Sequence, residues 1–484
     1  MTANSKSSVN RSSSKADLRL QTLASRSKFT GVKRGSSQAQ PQSNLSPSIL
    51  FLNRSYYPDA EATGQLLTEL CEDLAQDFNV SVVAGQPNQN PTGAKYRKYG
   101  LDQHRGVTIH RVPHTQFHKA SLLGRISNLL TYLLAAALAA LTRFRPDVVI
   151  VETDPPLLCL IGDLLKRWKG CKLVIYLQDI YPDLAIALGK LPNGFLARFL
   201  RRRFLATYHR ADRMVVLSRD MAEVLIEAGI SPDKITVIPN WIDTTRLRPV
   251  KTENAFRRQH QLQNRFIVMY SGNLGLCQDL DTILEAAALL RSHPRICFVL
   301  IGDGARRQAL EKRATDLALI NVRFVNYQPL DQLSVSLSAA DLHLVPVDAR
   351  VSRYLMPSKL YSALASATPI LAVAPLDSEL ATLVTEHGVG LAVPPAQPQA
   401  LADAILDCAE PQSQDKSLRF DLAAGGRRAR ALAEREFTRD RSAGRFRDML
   451  IEVLSDLPSD TKAKTAEPDE PEDLLAAPTG TYHD

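Results

Sequence analysis

Cysteine is scarce and scattered. The six in 484 residues (Cys71, Cys159, Cys171, Cys277, Cys297, Cys408) each lie in or beside an apolar run. No C-x-x-C pair occurs, so neither a zinc site nor a disulfide framework is supported, and buried, reduced thiols of a cytoplasmic protein are expected. There is no G-x-G-x-x-G run, which argues against a dinucleotide-dependent enzyme. No basic stretch carries interleaved aromatics, so nucleic acid is not an expected partner. No apolar run reaches the ~20 residues of a membrane span, no apolar core follows the early basic residues as in a secretory leader, and no solenoid-type repeat is found.

What remains is a globular composition, 45% hydrophobic and 23% charged, long enough for two domains with their own cores. The net charge of +8 is uneven. Residues 1–45 hold eight Lys/Arg and one Asp in a Ser- and Gln-rich stretch, expected to be a basic disordered extension. Residues 456–484 hold eight acidic and two basic residues, expected to be an acidic disordered tail. The body between stays basic, suited to anionic lipid or a phosphorylated substrate.

From Ser46 onward short apolar runs alternate with helical periodicity. Ile49–Leu52, Val80–Ala84, Val107–Val112, Asp147–Val151, Lys172–Leu177, Arg213–Ser218 and Ile235–Ile238 read as strands, and a helix is expected over about Gln65–Ala75. A second series follows Pro239–Pro249, with Phe266–Tyr270, Cys297–Ile301, Val322–Val325, Leu342–Val345 and Ile370–Val373. The expected fold class is α/β, with two doubly wound, Rossmann-like domains whose ligand loops leave the carboxyl ends of parallel strands.

Several of those loops carry binding chemistry. Pro357-Ser358-Lys359 opens a helix, where free N–H groups and a lysine suit a diphosphate. Gly272, Asn273 and Gly275 follow one strand, and Gly302 and Gly304 another, making room for phosphate or simply forming tight turns. Gly64 stands in a loop that leads into the first helix, with Thr63 as an expected cap. Asp179 and Asp183 follow a strand of the first half; Asp179 is alternatively a helix cap. Two segments bear on membranes. Leu129–Leu141 is thirteen residues long and reads as a buried helix or an interfacial one. Phe195–Arg210 reads as a basic amphipathic helix or a solvated charged face.

The segment Ala340–Val373, with LQDIYPD (177–183), IPNWID (238–243) and YSGNLG (270–275), resembles family 4 glycosyltransferases, particularly those of bacterial capsule, O-antigen and colanic acid synthesis. The resemblance covers about residues 48–450. It implies the GT-B architecture: an acceptor-side domain over 46–245, a nucleotide-sugar domain over 246–430, and a crossover helix over 431–455 within a last helix spanning roughly Arg427–Leu454. It implies a nucleotide diphosphate sugar as substrate with no further cofactor, no essential metal, retention at the anomeric carbon, and a lipid-linked saccharide acceptor at an anionic membrane surface. Donor binding then falls to Gly64, Gly272, Asn273, Gly275, Gly302, Gly304, Tyr327 (at the base), Arg353, Ser358, Lys359 and Ser362, and catalysis to Asp179 and Asp183. Arg350, Arg306 and Arg307 are supplementary cations, and Asn240 matches the hinge-loop asparagine. Two departures stand out. Asn273 and Gln278 replace the Arg and Lys of many relatives, and Tyr354 and Ser362 occupy the places of two glutamates. A weak or inactive scaffold is therefore an alternative, and a sugar-nucleotide epimerase a more distant one.

Overall fold

The computed structural model describes residues 46–59, 61–87, 93–117, 122–250, 253–410 and 420–456. The expected basic extension and nearly all of the expected acidic tail lie outside them. Fourteen strands are described, in two sheets. The first holds β1 (Ser48–Leu52), β2 (Asn79–Ala84), β3 (Gly100–His104), β4 (Val107–Arg111), β5 (Val148–Glu152), β6 (Lys172–Leu177), β7 (Arg213–Val216) and β8 (Ile235–Val237). Its order is β3-β4-β2-β1-β5-β6-β7-β8. The second holds β9 (Phe266–Ser271), β10 (Ile296–Ile301), β11 (Val322–Val325), β12 (Leu342–Pro346), β13 (Ile370–Val373) and β14 (Gly390–Val393), in the order β11-β10-β9-β12-β13-β14.

Every pairing is parallel except β3 with β4. Near-continuous apolar runs explain this: strands such as Val148–Glu152 and Ile296–Ile301 are buried throughout, as sheets covered on both faces require. β3 escapes the hydrophobic pattern because GLDQH carries a single large apolar residue; it is an edge strand turned by Arg105 and Gly106 at positive φ. In each sheet the winding reverses at the first strand, β1 or β9, opening a crevice at the strands' carboxyl ends.

Those ends meet. Asp179, after β6, forms an isolated antiparallel bridge with Leu355, after β12, and Ile180 N–H donates to the Tyr354 carbonyl at 2.9 Å. Further ties run through the chain's last helices. The single helix expected over Arg427–Leu454 is two, Leu422–Glu436 and Arg439–Ser455. The break at Phe437 serves packing, since its carbonyl accepts Ile242 N–H at 2.9 Å. Beyond it, Arg439 pairs with Asp73 at 2.7 Å on the first helix, Ala62–Leu74, and Phe446 packs edge-on against Tyr176 at 4.9 Å.

The apolar stretch around Leu129–Leu141 belongs to a longer helix, Leu122–Arg143, which by length and composition could cross a membrane. Its Tyr132, Ala136, Ala139 and Ala140 are buried, and Tyr132 donates to the Val83 carbonyl on β2 at 3.3 Å. The opposite stripe, Leu123, Ile126, Leu130, Leu134 and Leu138, is exposed. The helix is thus amphipathic in a sheet-facing sense, neither wholly buried nor free of the fold. Phe195–Arg210 is helical over the whole expected span and leaves Phe195, Leu196 and Phe199 exposed.

Candidate active site

The loops after β9 and β10 interlock. Gly272 N–H donates to the Ile301 carbonyl at 2.9 Å, Leu274 N–H to Asp303 at 2.8 Å, and Arg306 N–H to Leu274 at 3.0 Å. This closeness demands missing side chains. Gly302 lies at φ 140°, and a Cβ there would overlap the Gly272 carbonyl; Gly304, at φ 155°, faces Asn273 and the Leu274 carbonyl. Asn273 is exposed, its amide over Gly275 and Gly304, and Gly275 N–H donates to Gln278 Oε1 at 3.2 Å. Tyr327 is exposed and reaches the Asp303 carbonyl at 3.4 Å, beside this loop.

Lys359 completes the cluster. Its aliphatic stem lies over Gly272, where any side chain would collide with it, and its ammonium stands 5.7 Å from the centroid of the Tyr270 ring. Among the described residues no carboxylate pairs with it. Burial pushes its pKa down to about 8, with the Cys277 thiol as a minor opposing influence. An anion seated here would restore the charge. The helix that Lys359 begins is short, Lys359–Ala365, and the exposed Ser358 precedes it without a side-chain cap bond. Ser362 Oγ donates to the Lys359 carbonyl at 3.1 Å, within its own helix.

Across the crevice stands Asp179, whose carboxyl is pushed up to about 6 by burial and then by the Asp154 charge. It is not a helix cap, since the helix that follows starts at Asp183 with Pro182 before it. Cys277 feels both Asp179 and Lys359 electrostatically, which puts carboxyl and ammonium on one cleft. Asp183 is turned elsewhere, paired with Arg201 on the basic helix.

Other expected residues are placed apart from this cluster. Arg353 pairs with Glu227 at 2.7 Å and Glu223 at 3.9 Å, on a helix of the first half, so its charge is committed away from Lys359. Arg350 is held by Asp348 at 2.6 Å, Arg306 is paired with Asp281, and Arg307 donates to the Gly302 carbonyl at 2.6 Å. Gly64 is not a loop residue but lies in the first turn of the Ala62–Leu74 helix, close against Ser55 and Asp59. Thr63 does not cap that helix; the cap position is Glu61.

One group escaped sequence reading. Glu152, 1% exposed, ends β5 as the last residue of an apolar run. It anchors a directional chain: Tyr176 O–H donates to Asn240 Oδ1 (3.2 Å), Asn240 Nδ2 to Gln178 Oε1 (3.1 Å), and Gln178 Nε2 to Glu152 Oε1 (3.4 Å). Burial, then Asp154, pushes the Glu152 carboxyl well up, and its Oε2 has no partner. The chain ties Asn240, in the segment joining the two series of strands, to the residue before Asp179. Among the described residues no group of three or more His, Cys, Asp or Glu side chains is placed to hold a metal ion.

Comparison with known proteins follows the same division of the chain. Residues 63–246 match the model for Glycosyltransferase Family 4 and residues 252–424 that for Glycosyl transferases group 1. The chain is 31% identical over 314 residues to the glycosyltransferase WbjE of Pseudomonas aeruginosa, covering 64% of this chain and 76% of that one. It is 30% identical over 371 residues to WcaI of Escherichia coli (strain K12), named for colanic acid biosynthesis, covering 74% and 91%. Among solved structures, Anabaena Alr3699/HepE in complex with UDP and glucose superimposes with a TM-score of 0.64 at 18% identity, over 84% of this chain and all of that one. The two facing sheets are the GT-B fold.

Proposed function

The chain belongs to the family 4 and group 1 glycosyltransferases, and on that premise we propose that it moves a sugar from a nucleotide diphosphate sugar to a lipid-linked saccharide in cell-surface polysaccharide biosynthesis. The observation that carries the donor half is Lys359: a cation without a carboxylate partner among the described residues, laid over the glycine loops Gly272–Gly275 and Gly302–Gly304, with Asp179 on the same cleft. The donor diphosphate takes Lys359 and the neighbouring backbone N–H groups, and the base lies toward Tyr327. Asp179, with its raised pKa, receives the acceptor hydroxyl or stabilises positive charge developing on the sugar ring. Retention at the anomeric carbon belongs to the same proposal.

Membrane attachment at the inner face of the cytoplasmic membrane also belongs to it. Phe195, Leu196 and Phe199 stand exposed beside Arg198, Arg202 and Arg203, which have no ion pair among the described residues, and the leucine stripe from Leu123 to Leu138 adds apolar surface. Basic helices with exposed aromatics sit at anionic interfaces.

The test is transfer of labelled sugar from a nucleotide donor to a polyprenyl-diphosphate-linked saccharide in vesicles. Product that disappears with Lys359→Met and Asp179→Asn supports the reading; absence of transfer from every donor contradicts it. A second reading, a catalytically weak scaffold, draws on Tyr354 and Ser362. Tyr354 offers its carbonyl to Ile180 and Ser362 binds its own helix, so neither supplies a carboxylate to the donor site.

A further inference from the structure

A cavity of about 260 Å³ lies beside the catalytic cleft, between the Asp183–Ala187, Phe195–Arg210 and Arg219–Glu227 helices and the loop that carries Arg353 and Tyr354. Its inner wall is Ile180 and Tyr354, the hydrogen-bonded pair next to the Asp179–Leu355 bridge. Aromatic rings (Tyr181, Phe204, Tyr208) line it together with two ion pairs, Asp183 with Arg201 and Glu227 with Arg353. In each pair one carboxylate oxygen stays outside the pairing. Rings for the C–H face of a pyranose, and carboxylates and guanidinium groups for its hydroxyls, are the lining a sugar requires. The volume sits just under the ~300–1,000 Å³ typical of small-molecule sites and is suited to a single ring.

The cavity shares Arg201 and Leu205 with an open groove of about 420 Å³ along the basic helix. The groove's other walls are Arg198, Arg202, Ala206 and His209. Arginine stems and small apolar side chains make it a trough for an aliphatic chain, while the guanidinium heads of Arg198 and Arg202 are free of ion pairs among the described residues. It runs toward the exposed Phe199 and Phe195.

We propose that cavity and groove form one site for a saccharide carried on a phosphate-bearing lipid: the sugar in the cavity, the phosphate at Arg198, Arg201 and Arg202, and the chain along the groove. This rests on the glycosyltransfer reading and locates its acceptor. The ligand enters from the membrane side and meets the donor cleft at Ile180, one residue from Asp179. The pairing of Arg201 with Asp183 gives way to phosphate on binding, freeing that carboxylate for a sugar hydroxyl.

The test uses the whole chain and two vesicle types of equal surface charge, neutral phosphatidylcholine doped with polyprenyl diphosphate or with phosphatidylglycerol. Flotation should favour the polyprenyl diphosphate, and Arg198→Glu with Arg202→Glu should weaken it on the order of tenfold or more through lost charge-assisted contacts. Leu205→p-benzoylphenylalanine should photo-crosslink to the polyprenyl lipid. The donor-induced rise in melting temperature should be unchanged in the arginine variant, which separates this site from the donor site. Equal flotation on both vesicle types, or an arginine variant that floats like the parent, overturns the proposal. Selective, arginine-dependent flotation by a protein that answers to no nucleotide supports the lipid site while removing the glycosyltransfer reading.

Discussion

Asp220 and Glu379 cap each other's helices across the two halves of the molecule. Glu379 N–H, at the start of the Glu379–Glu386 helix, donates to Asp220 Oδ2 at 2.9 Å, and Arg219 N–H, at the start of the Arg219–Glu227 helix, donates to the Glu379 carboxyl. The contact holds the crevice in its present closure, together with Arg353–Glu227. Removing either carboxyl, by Asp220→Ala or Glu379→Ala, should cost about 1 kcal/mol, with coupling in the double variant because both caps depend on the same approach. Burial raises both pKa values. Their contribution is therefore fully present below the unfolded values near ~4 and is lost as the pH rises through the folded ones. Glu379→Gln should accordingly melt higher than the parent at neutral pH and no higher in acid.

Gly272 and Gly302 should separate binding from folding. A methyl at Gly302 overlaps the Gly272 carbonyl, a backbone atom, and its φ of 140° adds strain of about 1–3 kcal/mol, so Gly302→Ala should lower the melting temperature sharply. At Gly272 the colliding atoms belong to the flexible Lys359 stem, which can move. Gly272→Ala should retain more stability yet lose nucleotide-induced stabilisation. Equal losses of both properties in both variants would contradict this division.

Glu152 should behave as a neutral acid. Its folded pKa is raised, so its contribution is present in acid and fades with rising pH. Glu152→Gln, keeping an oxygen for Gln178, should be more stable than the parent under mildly alkaline conditions and retain activity. Glu152→Ala strands the Gln178 amide and should cost about 1–3 kcal/mol, read by calorimetry.

The strands were legible because parallel sheets bury both faces, so Ile49–Leu52 and Cys297–Ile301 stand out as apolar runs. Gly272, Gly302 and Lys359 were legible because few residue types suit a phosphate loop after a strand. What was hidden depends on distant partners. Arg353 looks like a donor contact until Glu227 is placed beside it, and Asp183 like a second catalytic carboxylate until Arg201 is. Glu152 closes an apolar run and so marks a boundary rather than a buried acid. The break at Phe437 follows from docking on Ile242, which no local pattern encodes. The leucines from Leu123 to Leu138 are as hydrophobic as their buried neighbours, and only the sheet's position shows which face is bare.

Ser362 offers a gain-of-function test. It is half-buried on the Lys359 helix and bonds only that helix among the described residues. Ser362→Glu places a carboxylate where related helices carry one, able to take a ribose hydroxyl in a charge-assisted bond of about 1.5–3 kcal/mol. Nucleotide affinity should rise by roughly tenfold or more in equilibrium titration; unchanged or weaker binding would remove Ser362 from the donor site.

The central claim, a donor diphosphate at Lys359, is tested most directly by thermal unfolding of the whole chain with UDP, GDP, dTDP and their sugars, beside Lys359→Met. A ligand at ~100 times its Kd adds about 2.7 kcal/mol. The folded pKa of Lys359, about 8, lies below its ordinary value of 10.5. The ligand-free fold therefore loses stability through this group as the pH falls through that interval. Lys359→Met should melt higher than the parent at neutral pH without ligand. The parent should be stabilised by one nucleotide class, less so as the pH rises above about 8, and the variant by none. No shift with any nucleotide in the folded parent, or an equal shift in Lys359→Met, would contradict the account.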